Sequence, residues 1–274
     1  MRIPKFCDEP RISVVTIVKN DIPGLEHTRF SVADQKYISL QHIIVAGSST
    51  DGTLELARRW GDAGIVNVYG DQDAGIYDAM NKGLFLARAP WVWFLNAGDS
   101  FCTEMSARDA INSVGDSSWA FGAVIPTDST GERVGSSLLP HITRRELQWG
   151  DVYLNHQALL MKSDFLREIG AFDASFQSAG EFDMYLRALE HELPRRIPDE
   201  WVNYLVGGTS MTNTRQHLQE IRRSRNLRLN LSTVKVTLNA ALTRYRIFRN
   251  ELGSRHYPVI GSVRSSYLDR KYGL

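Results

Sequence analysis

The first hundred residues predict an α/β fold built on a parallel sheet, and three observations carry that prediction. Short β-branched apolar runs recur, segments with an apolar face at helical spacing lie between them, and no apolar run approaches the roughly 18 residues that would span a bilayer. The composition agrees. A chain of 274 residues that is 43% hydrophobic and 23% charged, with a formal net charge of +1, excludes disorder, collagen and a disulfide scaffold. It is long enough to hold a large core without staples.

Taken in order, residues 12–18 (ISVVTIV), 41–45 (QHIIV) and 65–69 (IVNVY) read as buried parallel strands. Residues 53–60 and 75–88 read as helices, the second with Ile76, Ala79, Met80, Gly83, Leu84 and Ala87 on one face. The run 91–95 (WVWFL) is a further strand. Sheets of this kind bind ligands outside the carboxyl ends of their strands, so the loops there form the candidate site.

Those loops are polar. The segment 46–53 (AGSSTDGT) opens a helix, and its backbone N–H groups suit an anion, whereas Asp51 equally suits a helix cap. The turn Asn96-Ala97-Gly98-Asp99 offers a carboxylate and an amide oxygen, the donors that Mg²⁺ and Mn²⁺ take, while Asp99 is equally placed to cap a following helix. On a helix predicted over 179–192, Phe182, Leu186 and Leu189 mark the apolar face. Glu181 falls beside that face and Asp183 about 200° further round, in reach of Arg187 on the helix surface. Ser178-Ala179-Gly180-Glu181 is also a capping box, so Glu181 is either a capping partner or a general base. His156 precedes a strand, and Lys82 follows Asp78 by four residues; each has a structural alternative to ligand binding.

In sequence order, residues 13–20 (SVVTIVKN), 47–53 (GSSTDGT), 73–83 (DAGIYDAMNKG) and 94–99 (FLNAGD) resemble the family 2 glycosyltransferases of the GT-A fold. Asn155-His156-Gln157, 170–173 (GAFD), 181–187 (EFDMYLR) and 207–210 (GGTS) continue the likeness, which covers about residues 11–214 and is greatest to the bacterial branch that assembles cell-surface polysaccharides. The resemblance implies a mixed sheet flanked by helices. It also implies inverting, non-processive transfer of a sugar from a nucleotide diphosphate sugar to the hydroxyl of a glycan or lipid-linked acceptor, assisted by Mg²⁺ or Mn²⁺. Thr16, Val18, Asn20, Ser48, Asp51, Asp73, Asn81, Lys82 and Asn96 match nucleotide-sugar-binding positions, and Asp99 with His156 the metal or diphosphate region. Glu181 matches the catalytic carboxylate, with Asp183 as the second candidate. Two departures stand out: Ala46 replaces a usual aspartate at the nucleotide base, and the 96–99 turn carries one of the two acids of an Asp-x-Asp motif. The absence of a Gln-x-x-Arg-Trp motif argues against a processive synthase. A catalytically weak sugar-nucleotide-binding relative and a nucleotidyltransferase-like enzyme are the alternatives.

The near-neutral total charge hides an asymmetry. Residues 215–274 hold 13 Lys+Arg against 3 Asp+Glu, net +10, which leaves net −9 over 1–214. This predicts a catalytic domain over 1–214 and a basic helical extension over 215–274, which either lies on an anionic membrane surface or packs on the acidic body. No nucleic-acid recognition motif accompanies the basic segment. Residues 1–10 lack the apolar stretch of a signal peptide, and Cys7 and Cys102 have no ligand spacing. Both features predict a cytoplasmic protein, and the membrane reading of the basic extension would make it peripheral on the inner face of the cell membrane.

Overall fold

The structure, a computed structural model, describes residues 9–47, 49–149, 154–206 and 214–251. Strand and helix alternate first as β1 (Ile12–Ile17), α1 (Ile22–Ala33), β2 (Leu40–Val45), α2 (Thr53–Asp62), β3 (Asn67–Tyr69), α3 (Ile76–Leu86) and β4 (Trp91–Phe94). There follow β5 (Ser100–Phe101), α4 (Ser106–Ser113), β6 (Trp119–Thr127), α5 (Arg144–Trp149), a 3-10 turn (His156–Ala158), β7 (Leu159–Lys162) and α6 (Ser163–Glu168). The last elements are α7 (Gly180–His191), β8 (Arg195–Leu205), α8 (Thr214–Arg228) and α9 (Thr233–Glu251).

One mixed sheet runs in the order β3-β2-β1-β4-β7-β6-β8-β5. The strands β3, β2, β1 and β4 are parallel, as crossover helices require, and β7 then enters antiparallel between β4 and β6. Alternate residues of the central strands feed two core layers. Val15 and Phe94 pack in the layer of α3, α6 and α7, and Val14 and Trp93 in the layer of α1 and α4. Gly83 lets α3 approach closely, because a Cβ there would overlap the Val15 side chain. The third strand starts later than the apolar run 65–69 predicts. Gly64 at φ +71° and the bond from the Ile65 N–H to the Trp60 carbonyl (2.9 Å) end α2, which leaves Ile65 exposed.

The C-terminal helices turn much of their charge inward. Leu218 and Ile221 of α8 join the core layer of α7. Arg225 is buried, donates to Asn239 Oδ1 (2.8 Å) and to the Trp149 carbonyl, and lies over the rings of Trp149 and Phe182. Arg223 bonds to Ser175 and lies 4.4 Å over Phe176, and Arg246 also reaches the Trp149 carbonyl (3.1 Å). Of the two fates predicted for the basic segment, these arginines take packing on the body. α9 shows three large apolar side chains outward beside exposed Lys235 and Arg244: Val234, Leu238 and Tyr245 are 69%, 58% and 54% exposed. Among the described residues, no helix is long and apolar enough to cross a membrane.

Candidate active site

The carboxyl ends of β1, β2 and β4 are tied together by short-range chemistry. Asn20, at φ +53°, accepts from the Thr50 N–H through its amide oxygen (2.7 Å), and its own N–H donates to Ser49 Oγ (3.1 Å). Asp21 caps α1, while its N–H donates to Thr53 Oγ1 (3.2 Å). The Asp51 carboxylate accepts from both the hydroxyl and the N–H of Thr53, which hold it below its ordinary pKa and fasten the entry to α2. Thr16 is buried, with its hydroxyl on His42 Nε2 (3.0 Å), and Val18 is buried beside it. Ser48 lies outside the described residues.

The loop before α3 is pinned by Asp78, which accepts from the Ala74 N–H (2.8 Å) and pairs with Lys82 (2.8 Å). Lys82 also donates to the Gln72 carbonyl (2.7 Å), with Asp73 in its electrostatic neighbourhood. The Asn81 amide is engaged at both ends: it donates to the Phe172 carbonyl (2.7 Å) and accepts from the Phe172 N–H (3.0 Å).

At α7 the structure corrects two readings of the sequence. The capping box does not form. The N–H groups of Gln177, Ser178 and Ala179 donate to Glu220 of α8 (3.0, 2.8 and 2.9 Å), which places an anion at the helix N-terminus from another element. Glu181 is thereby released from capping; half-buried, it accepts from the Tyr77 hydroxyl instead. The second correction concerns Asp183, which is not a surface partner of Arg187 but fully buried. Its carboxylate binds Arg187 Nε (3.0 Å), Arg228 Nε (2.9 Å) and Nη2 (3.0 Å), and Ser224 Oγ (3.0 Å), because α8 covers the helix side that one helix alone would leave to solvent.

The 96–99 turn lies against these groups. Asn96 Nδ2 faces His156 Nε2 at 3.0 Å, and Asn96 Oδ1 is buried without a hydrogen-bond partner among the described residues. Burial lowers the pKa of His156 while the charge of Glu181 opposes that shift, so the ring, Glu181 and Asn96 share one neighbourhood. Asp99 caps no helix. It is 3% exposed, its Oδ1 accepts from the Leu205 N–H (2.9 Å), and burial pushes its pKa up to about 8, opposed by the bonds from Leu205 and Gln157.

A divalent cation of the Mg²⁺ or Mn²⁺ type takes charged oxygen ligands. The described residues do not fit one here: the turn's single carboxyl group is buried and its Oδ1 is taken by the Leu205 N–H. An Asp-x-Asp pair that included Asp99 would need its other acid at position 97, where Ala97 stands. Among the described residues, no three His, Cys, Asp or Glu side chains converge as a metal site.

Tyr77, Glu220 and Gln157 carry much of this geometry and were not singled out from the sequence. Tyr77 stood in the 73–83 motif, and its hydroxyl on an apolar helix face was the available signal. Glu220 lies about forty residues from the backbone it caps, beyond any local spacing rule.

Polar groups at the ends of four parallel strands, closed by antiparallel strands, define the GT-A class of glycosyltransferases. TarS of Staphylococcus aureus (residues 1–349, in complex with UDP-GlcNAc) superposes with a TM-score of 0.63 at 15% identity, over 87% of this chain and 72% of that one. In another structure of TarS, the chain spans 43% of the TarS chain. The chain belongs to glycosyl transferase family 2, whose profile matches residues 13–138, and the protein is therefore a glycosyltransferase. It is 31% identical over 187 residues to the uncharacterised glycosyltransferase Rv1514c of Mycobacterium tuberculosis, covering 65% of this chain and 69% of that protein. It is 25% identical over 189 residues to a PGL/p-HBAD biosynthesis glycosyltransferase of Mycobacterium bovis, covering 66% and 71%.

Proposed function

We propose that the protein transfers one glycosyl unit, with inversion, from a nucleotide diphosphate sugar to an acceptor hydroxyl in the assembly of a cell-surface or lipid-linked glycan. The observation that carries this reading is Glu181, a half-buried carboxylate that Glu220 frees from capping and that sits with His156 and Asn96 at the strand ends. In a single displacement, Glu181 takes the proton of the acceptor hydroxyl as its oxygen bonds to the anomeric carbon. The bond from that carbon to the diphosphate breaks in the same step, the nucleoside diphosphate leaves with the electron pair, and the configuration inverts. The unpartnered Asn96 Oδ1 supplies an acceptor for a donor hydroxyl. Asn20, Asp51 and the 46–52 loop frame the nucleotide, Asp73 and Lys82 the far side of the donor, and Thr16 and Asn81 support both from behind. Asp183 holds α7 and α8 together rather than touching substrate. The donor bound to TarS and the biosynthetic naming of the mycobacterial relative support these substrate classes.

Product analysis with a panel of nucleotide sugars tests the proposal. Release of nucleoside diphosphate, together with a product whose anomeric configuration is opposite to the donor's, is expected. Release of pyrophosphate would identify a nucleotidyltransferase, and release of neither a binding protein.

The domain reading gives a catalytic unit over 1–214, to which α8 fastens the extension over 215–274. The outward face of α9 places Val234, Leu238 and Tyr245 beside Lys235 and Arg244, with no acidic residue between positions 221 and 250. Such a face suits an anionic bilayer on the cytoplasmic side. The full chain is expected to sediment with phosphatidylserine-containing vesicles, and a Val234→Glu/Leu238→Glu variant to stay in solution. Equal behaviour of the two proteins would refute the membrane role.

A further inference from the structure

The first turn of α7 and the start of α3 meet at a contact that the reaction has not yet used. Tyr77 is buried, and its ring stacks on Phe172 with centroids 5.9 Å apart. Its hydroxyl donates to Oε2 of Glu181. Burial, and then the charge of Glu181, raise the pKa of the phenol, so it keeps its proton and acts as donor throughout the neutral range. Gly180 makes the approach feasible: a Cβ at that position would stand 2.8 Å from three carbons of the Tyr77 ring.

We infer that Tyr77 is a positioning residue for transfer, tethering one oxygen of Glu181 so that the other, Oε1, is held toward the acceptor hydroxyl, and that Gly180 is required because the tether crosses it. The inference rests on the reading of Glu181 as the base. A carboxylate with both oxygens unrestrained rotates about its last side-chain bond and loses near-attack geometry, which costs rate rather than affinity. The other groups around Glu181 leave Oε2 to Tyr77. Tyr185 donates to the Leu154 carbonyl (3.0 Å), His156 faces Asn96, and Glu220 and His217 of α8 serve the backbone and side chain of residues 177–179.

The test is a double-mutant cycle in the full chain, with kcat and both KM values measured for each variant. Tyr77→Phe keeps the stacked ring and removes the tether. It is expected to lower kcat about tenfold, with donor and acceptor KM within about twofold of wild type and with the thermal midpoint retained. Gly180→Ala, which displaces the ring, is expected to move kcat in the same direction. In a Glu181→Gln background, Tyr77→Phe is expected to add nothing further, since no base is left to aim. A Tyr77→Phe enzyme with wild-type kcat, or one whose loss adds in full to that of Glu181→Gln, overturns the tether while leaving the base in place. Near-normal transfer by Glu181→Gln alone overturns the base reading itself.

Discussion

The 96–99 turn and the first turn of α7 border the same site and both present acids, yet they use them in opposite ways. In the turn, Asp99 is buried and pins the end of β8 through the Leu205 N–H, and burial raises its pKa. In α7, the backbone groups that would have claimed Glu181 are taken by Glu220, which leaves Glu181 with a phenol for a partner. Asp183, two residues further on, is enclosed by Arg187 and Arg228. What separates the three acids is which donors reach each of them first, and each of the three donor sets includes an element remote in sequence.

The largest effect that tests this contrast is on rate. Glu181→Gln retains the hydrogen bond from Tyr77 but cannot take a proton, so transfer is expected to fall by about 10² to 10⁴ with donor binding and thermal midpoint preserved. Asp183 should respond in the other currency. Asp183→Ala removes the buried carboxylate that Arg187 and the partly exposed Arg228 share, and breaking such a pair costs on the order of 3 kcal/mol of stability. Chemical denaturation of the two variants side by side reads the difference. A stable Asp183→Ala protein that has lost turnover would reverse the two roles.

The parallel half of the fold was legible from the chain because each element there signals locally. The runs 12–18, 41–45 and 91–95 are apolar and β-branched or aromatic, and they match β1, β2 and β4 to within a residue or so. The helix expected over 75–88 is α3 (Ile76–Leu86) and that over 179–192 is α7. The mixed half was not legible in its pairings, since the order of β7, β6 and β8 depends on contacts between distant segments. The site divides in the same way. Motif order put Asn96, His156 and Glu181 on a list, but the failure of the capping box and the burial of Asp183 both follow from α8, which no helical wheel of α7 contains.

Asp99 sharpens the contrast through pH. Its carboxyl titrates near 3.8 when unfolded and at about 8 in the fold, so between those values the native state holds a proton that the unfolded state has released. Its contribution to stability is therefore complete below about pH 4 and lost as pH rises to about 8, by about 1.4 kcal/mol per pH unit at most. Asp99→Asn removes that slope, since asparagine still accepts from the Leu205 N–H. The variant's thermal midpoint is expected to gain on wild type steadily from pH 5 to pH 8, with unaltered nucleotide affinity. Parallel midpoint curves together with weakened, Mn²⁺-sensitive nucleotide binding would instead return Asp99 to a metal-binding role.

The smallest expected effect separates two asparagines that the sequence placed in one donor-binding group. Asn96 has an unpartnered buried oxygen, whereas both ends of the Asn81 amide are used by the backbone of Phe172. Phe172 in turn packs edge-on against Phe94, at 5.2 Å between ring centroids, and stacks on Tyr77. Asn81→Ala deletes two hydrogen bonds with a net value of about 1 kcal/mol each, so it should lower stability by about 1–3 kcal/mol and the thermal midpoint by a few degrees. Donor KM should stay within about twofold, because the amide has no free end for the ligand. Asn96→Ala should raise donor KM, because its free oxygen is lost to the ligand, and should cost about 1 kcal/mol of stability through the lost contact of Nδ2 with His156 Nε2. If Asn81→Ala raised donor KM tenfold at an unchanged midpoint, the amide would have to exchange Phe172 for the nucleotide sugar on binding, and the division between occupied and available polar groups would fail at that residue.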